Sequence, residues 1–268
     1  MNRDTLARAR ALLFVPGHRP ERFEKAVRAA GDAIVLDLED AVAPEDKDRA
    51  RDNVRRWLEA GGNAVVRING RGTPWHDADV ELAGRHDCGV MLPKAESPED
   101  IAALIDRLPR GNSVVPLVET AAGIFGARRL CAAPGVTRPA FGSVDLAAQL
   151  GVDPGDRTAL LHARSTLVLA AASAGVAAPL DGVTTNVEEH AAAVADAEHA
   201  ARLGFTGKLC VHPRQVEPVR AAFAPSAEAL RWAEAVVAAA GGGGGVSTLD
   251  GQMIDKPVVE RARRLLGG

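Results

Sequence analysis

No charge of one sign dominates this chain. Its 32 Lys and Arg stand against 35 Asp and Glu, a formal net charge of -3. The signs are interspersed, so the basic footprint of a nucleic-acid-binding protein is missing. Cysteine is scarce: Cys88, Cys131 and Cys210 share no metal-like spacing. Their odd number argues against a disulfide framework and suits buried thiols in a reducing compartment. Long apolar runs are lacking as well. None approaches the ~20 residues that span a bilayer. The first stretch, MNRDTLARARALLFVPG, has neither the apolar core nor the small-residue cleavage site of a secretory signal. A cytoplasmic protein is expected, with no membrane and no nucleic-acid partner. Also missing is a GxGxxG turn after the first strand, which argues against an open dinucleotide-binding sheet.

What is there is an alternation. The 268 residues, 47% apolar and 25% charged, suit one soluble α/β barrel of ~250 residues. Short apolar runs recur at 12–17, 33–40, 64–70, 89–94, 113–119, 138–145, 178–183 and 207–213. Amphipathic stretches such as RPERFEKAVRAAG and SPEDIAALIDRL lie between them. Ser97, and Asn186 with Glu189, read as helix starts; Gly31, Gly61 and Gly204 read as helix stops. Strands alternating with helices imply a parallel sheet, and eight units close a (β/α)8 barrel. After a helix at 228–240 come five glycines, Gly241–Gly245, which read as a flexible hinge. The expected division is a catalytic barrel over 1–240 and a hinge with a C-terminal lid or arm over 241–268.

Chemistry-bearing side chains gather at the strand ends. The third run offers Arg67 and Asn69, the fourth Lys94, the fifth Glu119 and the sixth Asp145. The carboxyl ends of barrel strands are where catalytic groups meet. Glu119 and Asp145 are two hard oxygen ligands, which suits Mg²⁺. Arg67 offers a planar fork for a carboxylate, or else pairs with Glu39 or Asp40. Lys94 reads as a salt-bridge partner or a Schiff-base lysine. His212 reads as a turn histidine or an acid–base group. The loop with His18, Arg19 and Arg22 is cationic and precedes a helix, a setting for a phosphate-bearing tail or simply a solvated loop.

In chain order, LLFVPGHRPERFEKA, IVLDLEDAVAPEDKDRAR, VVRING, VMLPKAESPEDI, PLVETAAGI, FGSVDLAAQLG, GFTGKLCVHPRQV and GQMID resemble the citrate lyase β-subunit family over nearly the whole chain. The resemblance implies a TIM barrel, with Glu119 and Asp145 as Mg²⁺ ligands and Arg67 holding the carboxylate of an oxo acid. It places Phe14, Arg19, Arg22, Lys25 and Lys47 where relatives touch the tail of a CoA thioester. It matches Asp255 to a proton-transferring acid supplied by a neighbouring subunit of a homotrimer or hexamer. One departure stands out: many relatives carry an acid before the metal-binding Asp, and here that place is Val144.

The implied activity is Mg²⁺-dependent carbon–carbon cleavage of a hydroxyacyl-CoA thioester of the citryl-, citramalyl- or malyl-CoA type. Oxo acid and acyl-CoA are the products. An aldolase on free oxo acids, a Schiff-base aldolase using Lys94 and a non-catalytic metabolite-binding barrel stay open at this point.

Overall fold

The computed structural model describes residues 1–30, 32–240, 247–249 and 252–267. Gly31 and the run Gly241–Gly245 lie outside the described residues. Eight strands form where apolar runs were expected: β1 (Ala11–Pro16), β2 (Ala33–Asp37), β3 (Val65–Arg67), β4 (Gly89–Leu92), β5 (Val114–Val118), β6 (Ala140–Phe141), β7 (Leu180–Asp181) and β8 (Gly207–Cys210). Each pairs in parallel with its neighbour, and β8 pairs with β1, so the sheet closes into a barrel. Helix α1 (Arg3–Arg8) precedes the barrel. The helices that follow are α2 (Phe23–Ala30), α3 (Lys47–Glu59), α4 (His76–Gly84), α5 (Pro98–Ile105), α6 (Ala121–Cys131), α7 (Ser143–Leu150), α8 (Leu161–Ala174), α9 (His190–Leu203), α10 (Pro213–Ala222), α11 (Ala227–Ala240) and α12 (Lys256–Gly267).

Local signals explain several of these boundaries. Ser97 caps α5 by accepting from the Glu99 N–H, and Gly204 ends α9 with φ at 103°. Asn186 accepts from the N–H groups of Glu188 and Glu189, but it caps the turn before α9 and not the helix itself.

Side-chain alternation along the strands sorts the core into two layers. Leu12, Val35, Val65, Met91, Val115, Leu117, Ala140, Leu180 and Leu209 form one buried cluster inside the barrel. Their neighbours Leu13, Ile34, Leu36, Val66, Val90 and Phe141 join a larger cluster shared with the helices. The inward parity runs on past the apolar layers to Phe14, Asp37, Arg67 and Glu119. At the opposite end the same parity brings in Arg138, which is fully buried. Its guanidinium donates to the carbonyls of Leu6, Ala7, Ala9, Ala178 and Pro179 and to Thr206 Oγ1. The carbonyl end of α1 thus meets a positive charge and plugs the barrel floor.

The contact boundary falls after Phe223, and not at residue 240, because α11 packs with α12. The unit Ala224–Gly268 has its own small core of Ala233, Val236, Ile254 and Ala262, and Arg261 stacks on Trp232 at 4.8 Å. Within it β9 (Ser247–Leu249) and β10 (Gln252–Ile254) pair antiparallel. Cys88, Cys131 and Cys210 are free and buried, and burial pushes each thiol up to about 12. Among the described residues no helix is long and apolar enough to cross a membrane.

Candidate active site

Arg67 lies opposite Asp37 in the β2–β3 register, and the two side chains lock together. Nε donates to Oδ1 at 2.8 Å and Nη2 to Oδ2 at 2.6 Å. Nη1 lies 3.0 Å from Glu39 Oε2, and the guanidinium stacks on Phe14 at 4.8 Å. Burial works against the Arg67 charge, but Asp37 and Glu39 outweigh it, so the group stays charged at any accessible pH. Arg67 is therefore a held fork and not a free one; its remaining N–H groups are the ones open to a ligand.

Glu39 is itself shared. Its Oε1 accepts from Lys94 Nζ at 3.1 Å. Burial raises the Glu39 carboxyl, against the pull of Arg67. At Lys94 partial burial opposes the charge, yet the Glu39 hydrogen bond and charge prevail and the ammonium is raised. That is the reverse of what a Schiff-base nucleophile needs.

Glu119 stands one step beyond β5 and is buried at 3% exposure. Its Oε1 accepts from the Lys94 backbone N–H at 2.7 Å, while among the described residues no donor reaches Oε2. Burial pushes Glu119 up to about 8, the Lys94 N–H works against this, and the charge of Asp145 adds to it. Gly142 keeps the space open: a Cβ there would lie 2.2 Å from Glu119 Cβ. Asp145 is not at a strand end. β6 is only two residues long, and Asp145 falls in the first turn of α7, which starts at Ser143. Its half-buried carboxylate still acts on Glu119.

The donor set fits a hard divalent ion. Glu119 and Asp145 would supply two oxygen ligands, and Mg²⁺ typically takes one or two carboxylates and keeps waters. Around them Asp37, Glu39, Asp40, Glu119 and Asp145 face Arg67, Lys94 and Lys47. With all five carboxyls ionised, three cations leave two negative charges, the charge that one Mg²⁺ would offset.

The other expected residues are placed as follows. Lys47 is buried, and its Nζ donates to the carbonyls of Leu38 and Glu39, both at 2.7 Å. Asn69 is also buried and bonds Leu38 O and Asp79. Phe14, Arg22, Lys25 and His212 line a separate cavity of about 390 Å³. Arg19 is exposed and paired with Glu21 at 2.6 Å. His18 Nδ1 is buried and finds no partner among the described residues. His212 caps α10, accepting from the Arg214 N–H in a capping box with Gln215, so its turn role is the one observed. Asp255, in the Ala224–Gly268 unit, accepts from the Val258 N–H at 3.2 Å at the start of α12.

Sequence reasoning missed Asp37, the Lys94 N–H and Gly142. The signal for Asp37 was its parity with Val35 and Ala33. A backbone donor and a steric gap leave no mark in a single sequence.

Comparison with known proteins shows the family. Residues 10–213 match the model of the HpcH/HpaI aldolase/citrate lyase family. A citrate lyase subunit beta-like protein of Mycobacterium tuberculosis is 41% identical, covering 95% of this chain and 93% of its own. A (3S)-malyl-CoA thioesterase of Cereibacter sphaeroides is 35% identical over 96% of this chain and 93% of its own. The crystal structure of CitE from M. tuberculosis with magnesium, acetoacetate and coenzyme A superposes with a TM-score of 0.84 at 38% identity, covering 97% of this chain and 98% of that one. With its barrel matched from β1 to the start of α10, and a relative this similar along nearly its whole length, the chain belongs to the HpcH/HpaI aldolase/citrate lyase family.

Proposed function

We propose that this protein is a Mg²⁺-dependent carbon–carbon lyase that splits a hydroxyacyl-CoA thioester into an oxo acid and an acyl-CoA. The observation that carries the reading is the buried Glu119 carboxyl, held at one oxygen, raised by the neighbouring Asp145 charge, and set in the same mouth as Arg67. The magnesium, acetoacetate and coenzyme A bound to the M. tuberculosis CitE support it.

Mg²⁺ held by Glu119 and Asp145 would supply Lewis-acid charge to the substrate's hydroxyl and carboxylate oxygens. Arg67, fixed by Asp37 and Phe14, offers its open N–H groups to that carboxylate. Cleavage turns the carbinol carbon into the carbonyl of the oxo acid and leaves an electron pair on the thioester's α-carbon. One proton leaves the hydroxyl and one reaches that carbon; Asp255 of a neighbouring subunit is assigned to deliver the second. Phe14, Arg22 and Lys25, which line one cavity, take the CoA tail, with Arg19 nearby in the same loop. Lys47 contributes charge while its Nζ stays on two carbonyls. The reading includes a cytoplasmic homo-oligomer, trimer or hexamer.

The test is calorimetric binding of oxaloacetate, pyruvate and glyoxylate with Mg²⁺ or with EDTA, followed by product analysis on citryl-, citramalyl- and malyl-CoA. Mg²⁺-dependent binding with acyl-CoA and oxo acid as products is expected. Free CoA with an intact hydroxy acid would instead mark a thioesterase, the second reading, which the C. sphaeroides relative favours. Metal-independent binding and no cleavage would sink both.

A further inference from the structure

Among the described residues, Lys94 is the one non-glycine residue with positive φ, at 48°. Left-handed backbone is strained for an L-residue, and lysine lacks the short polar side chain with which Asn or Asp offsets it locally. Two contacts follow from the strained turn after β4. The backbone N–H is aimed at Glu119 Oε1, 2.7 Å away. The side chain reaches Glu39 Oε1 at 3.1 Å, and Glu39 Oε2 lies 3.0 Å from Arg67 Nη1. One residue therefore touches the carboxylate on the metal side of the site and the acid that shares Arg67 on the other.

We propose that Lys94 is a positioning residue that sets Glu119 and Arg67 in place together, its N–H fixing the Glu119 carboxylate and its ammonium sharing the Glu39 carboxylate with the guanidinium. The role rests on the assignment of Glu119 to the metal and Arg67 to the substrate carboxylate. The physical reason is charge sharing. Glu39 is buried between two cations. With the ammonium gone the whole Glu39 charge falls on Arg67, and Glu39 competes more strongly with an incoming carboxylate for the guanidinium. The N–H acts separately: it orients Glu119 by Oε1 and leaves Oε2 for the metal, as groups behind a ligand commonly do.

Three variants of the full chain separate the two contacts. Lys94→Gly keeps the N–H and tolerates the left-handed turn but removes the ammonium. Lys94→Arg restores a long cationic side chain. Replacing the Pro93–Lys94 amide by an ester, with the α-hydroxy analogue of lysine, removes only the N–H. Calorimetry gives Kd for Mg²⁺ alone and for oxaloacetate at saturating Mg²⁺; kinetics give KM and kcat. For Lys94→Gly a Mg²⁺ Kd no weaker than wild type is expected, with oxaloacetate Kd and KM raised about tenfold, kcat little changed, and recovery in Lys94→Arg. For the ester variant Mg²⁺ Kd rises about tenfold. A shift in melting temperature with both Kd values untouched in the Gly and ester variants overturns the role. Wild-type protein that binds no Mg²⁺ overturns the proposed function and this role with it, whereas wild-type binding matched by all three variants overturns this role alone.

Discussion

Asp37 and Arg67 are register partners on β2 and β3, and their side chains close a two-point hydrogen bond at 2.8 and 2.6 Å. Asp37 is buried and Arg67 half-buried in the last inward layer of the barrel, so the strand register itself aims the guanidinium. Lysine keeps the charge but loses the planar fork. Arg67→Lys is expected to weaken oxaloacetate binding about 10- to 100-fold, or ~1.4–2.8 kcal/mol. Asp37→Asn, which touches no ligand, should weaken it in the same direction. Calorimetry at saturating Mg²⁺ checks both; unchanged affinity in Asp37→Asn would show that Arg67 needs no such brace.

Glu119 carries a pH dependence. Its ordinary value is 4.5, and burial pushes it up to about 8 in the folded protein. Below 4.5 both states hold the proton and the full contribution of the neutral group to stability is present. As pH rises from 4.5 to 8 the fold keeps a proton that the unfolded chain has released, and stability falls by up to ~1.4 kcal/mol per pH unit. The metal-free protein should therefore lose melting temperature across this window, and Glu119→Gln should flatten the slope. Mg²⁺ affinity should rise up to about tenfold per pH unit over the same range, with proton release on binding. Melting curves in EDTA, and calorimetry in buffers of different ionisation heat, read the two effects.

Gly142 is predicted to be intolerant. An alanine Cβ would lie 2.2 Å from Glu119 Cβ and 2.5 Å from its Oε2, so the carboxylate must move. Gly142→Ala should cost about 1–3 kcal/mol of stability and weaken Mg²⁺ binding about tenfold or more. Wild-type Mg²⁺ affinity in this variant would remove Glu119 from the metal site.

Asp181 tests the fold apart from the chemistry. It lies on the helix-facing side of β7, buried, and accepts from Arg164 Nε at 2.9 Å and Lys208 Nζ at 3.3 Å. Asp181→Ala strands two buried cations and should destabilise by about 3–5 kcal/mol. Mg²⁺ affinity of the protein that remains folded should not change. Chemical denaturation and calorimetry on the same preparation separate the two.

Asp255→Ala should leave Mg²⁺ binding alone and cut turnover about 10²- to 10⁴-fold, the usual worth of a placed proton donor. Full turnover would reduce Asp255 to the start of α12.

Much was legible in the sequence because it is local. Alternating polarity, Ser97 and Gly204 mark strands and helices through backbone and solvent preferences that act within a few residues. The order of those elements sufficed for the barrel, and the parity of Val65 with Arg67, and of Leu117 with Glu119, sent both polar groups inward. Asp145 was placed one element too early, because Gly142 ends β6 at once and the helix begins before the apolar run is over. The helix at 227–240 read as part of the barrel because an apolar face does not name its partner; α12 covers it.

The amino-acid sequence by itself determined the elements, their order, and which side chains face inward, since each depends on short-range periodicity. Only the tertiary structure decided who meets whom. Asp37 clamps Arg67, Lys94 bonds Glu119 through its backbone, and Gly142 leaves room for that carboxylate. These are contacts between neighbouring strand ends 23 to 30 residues apart in the chain, fixed by the closure and register of the sheet. The raised state of Glu119 is likewise a product of burial, which no residue carries until the barrel closes around it.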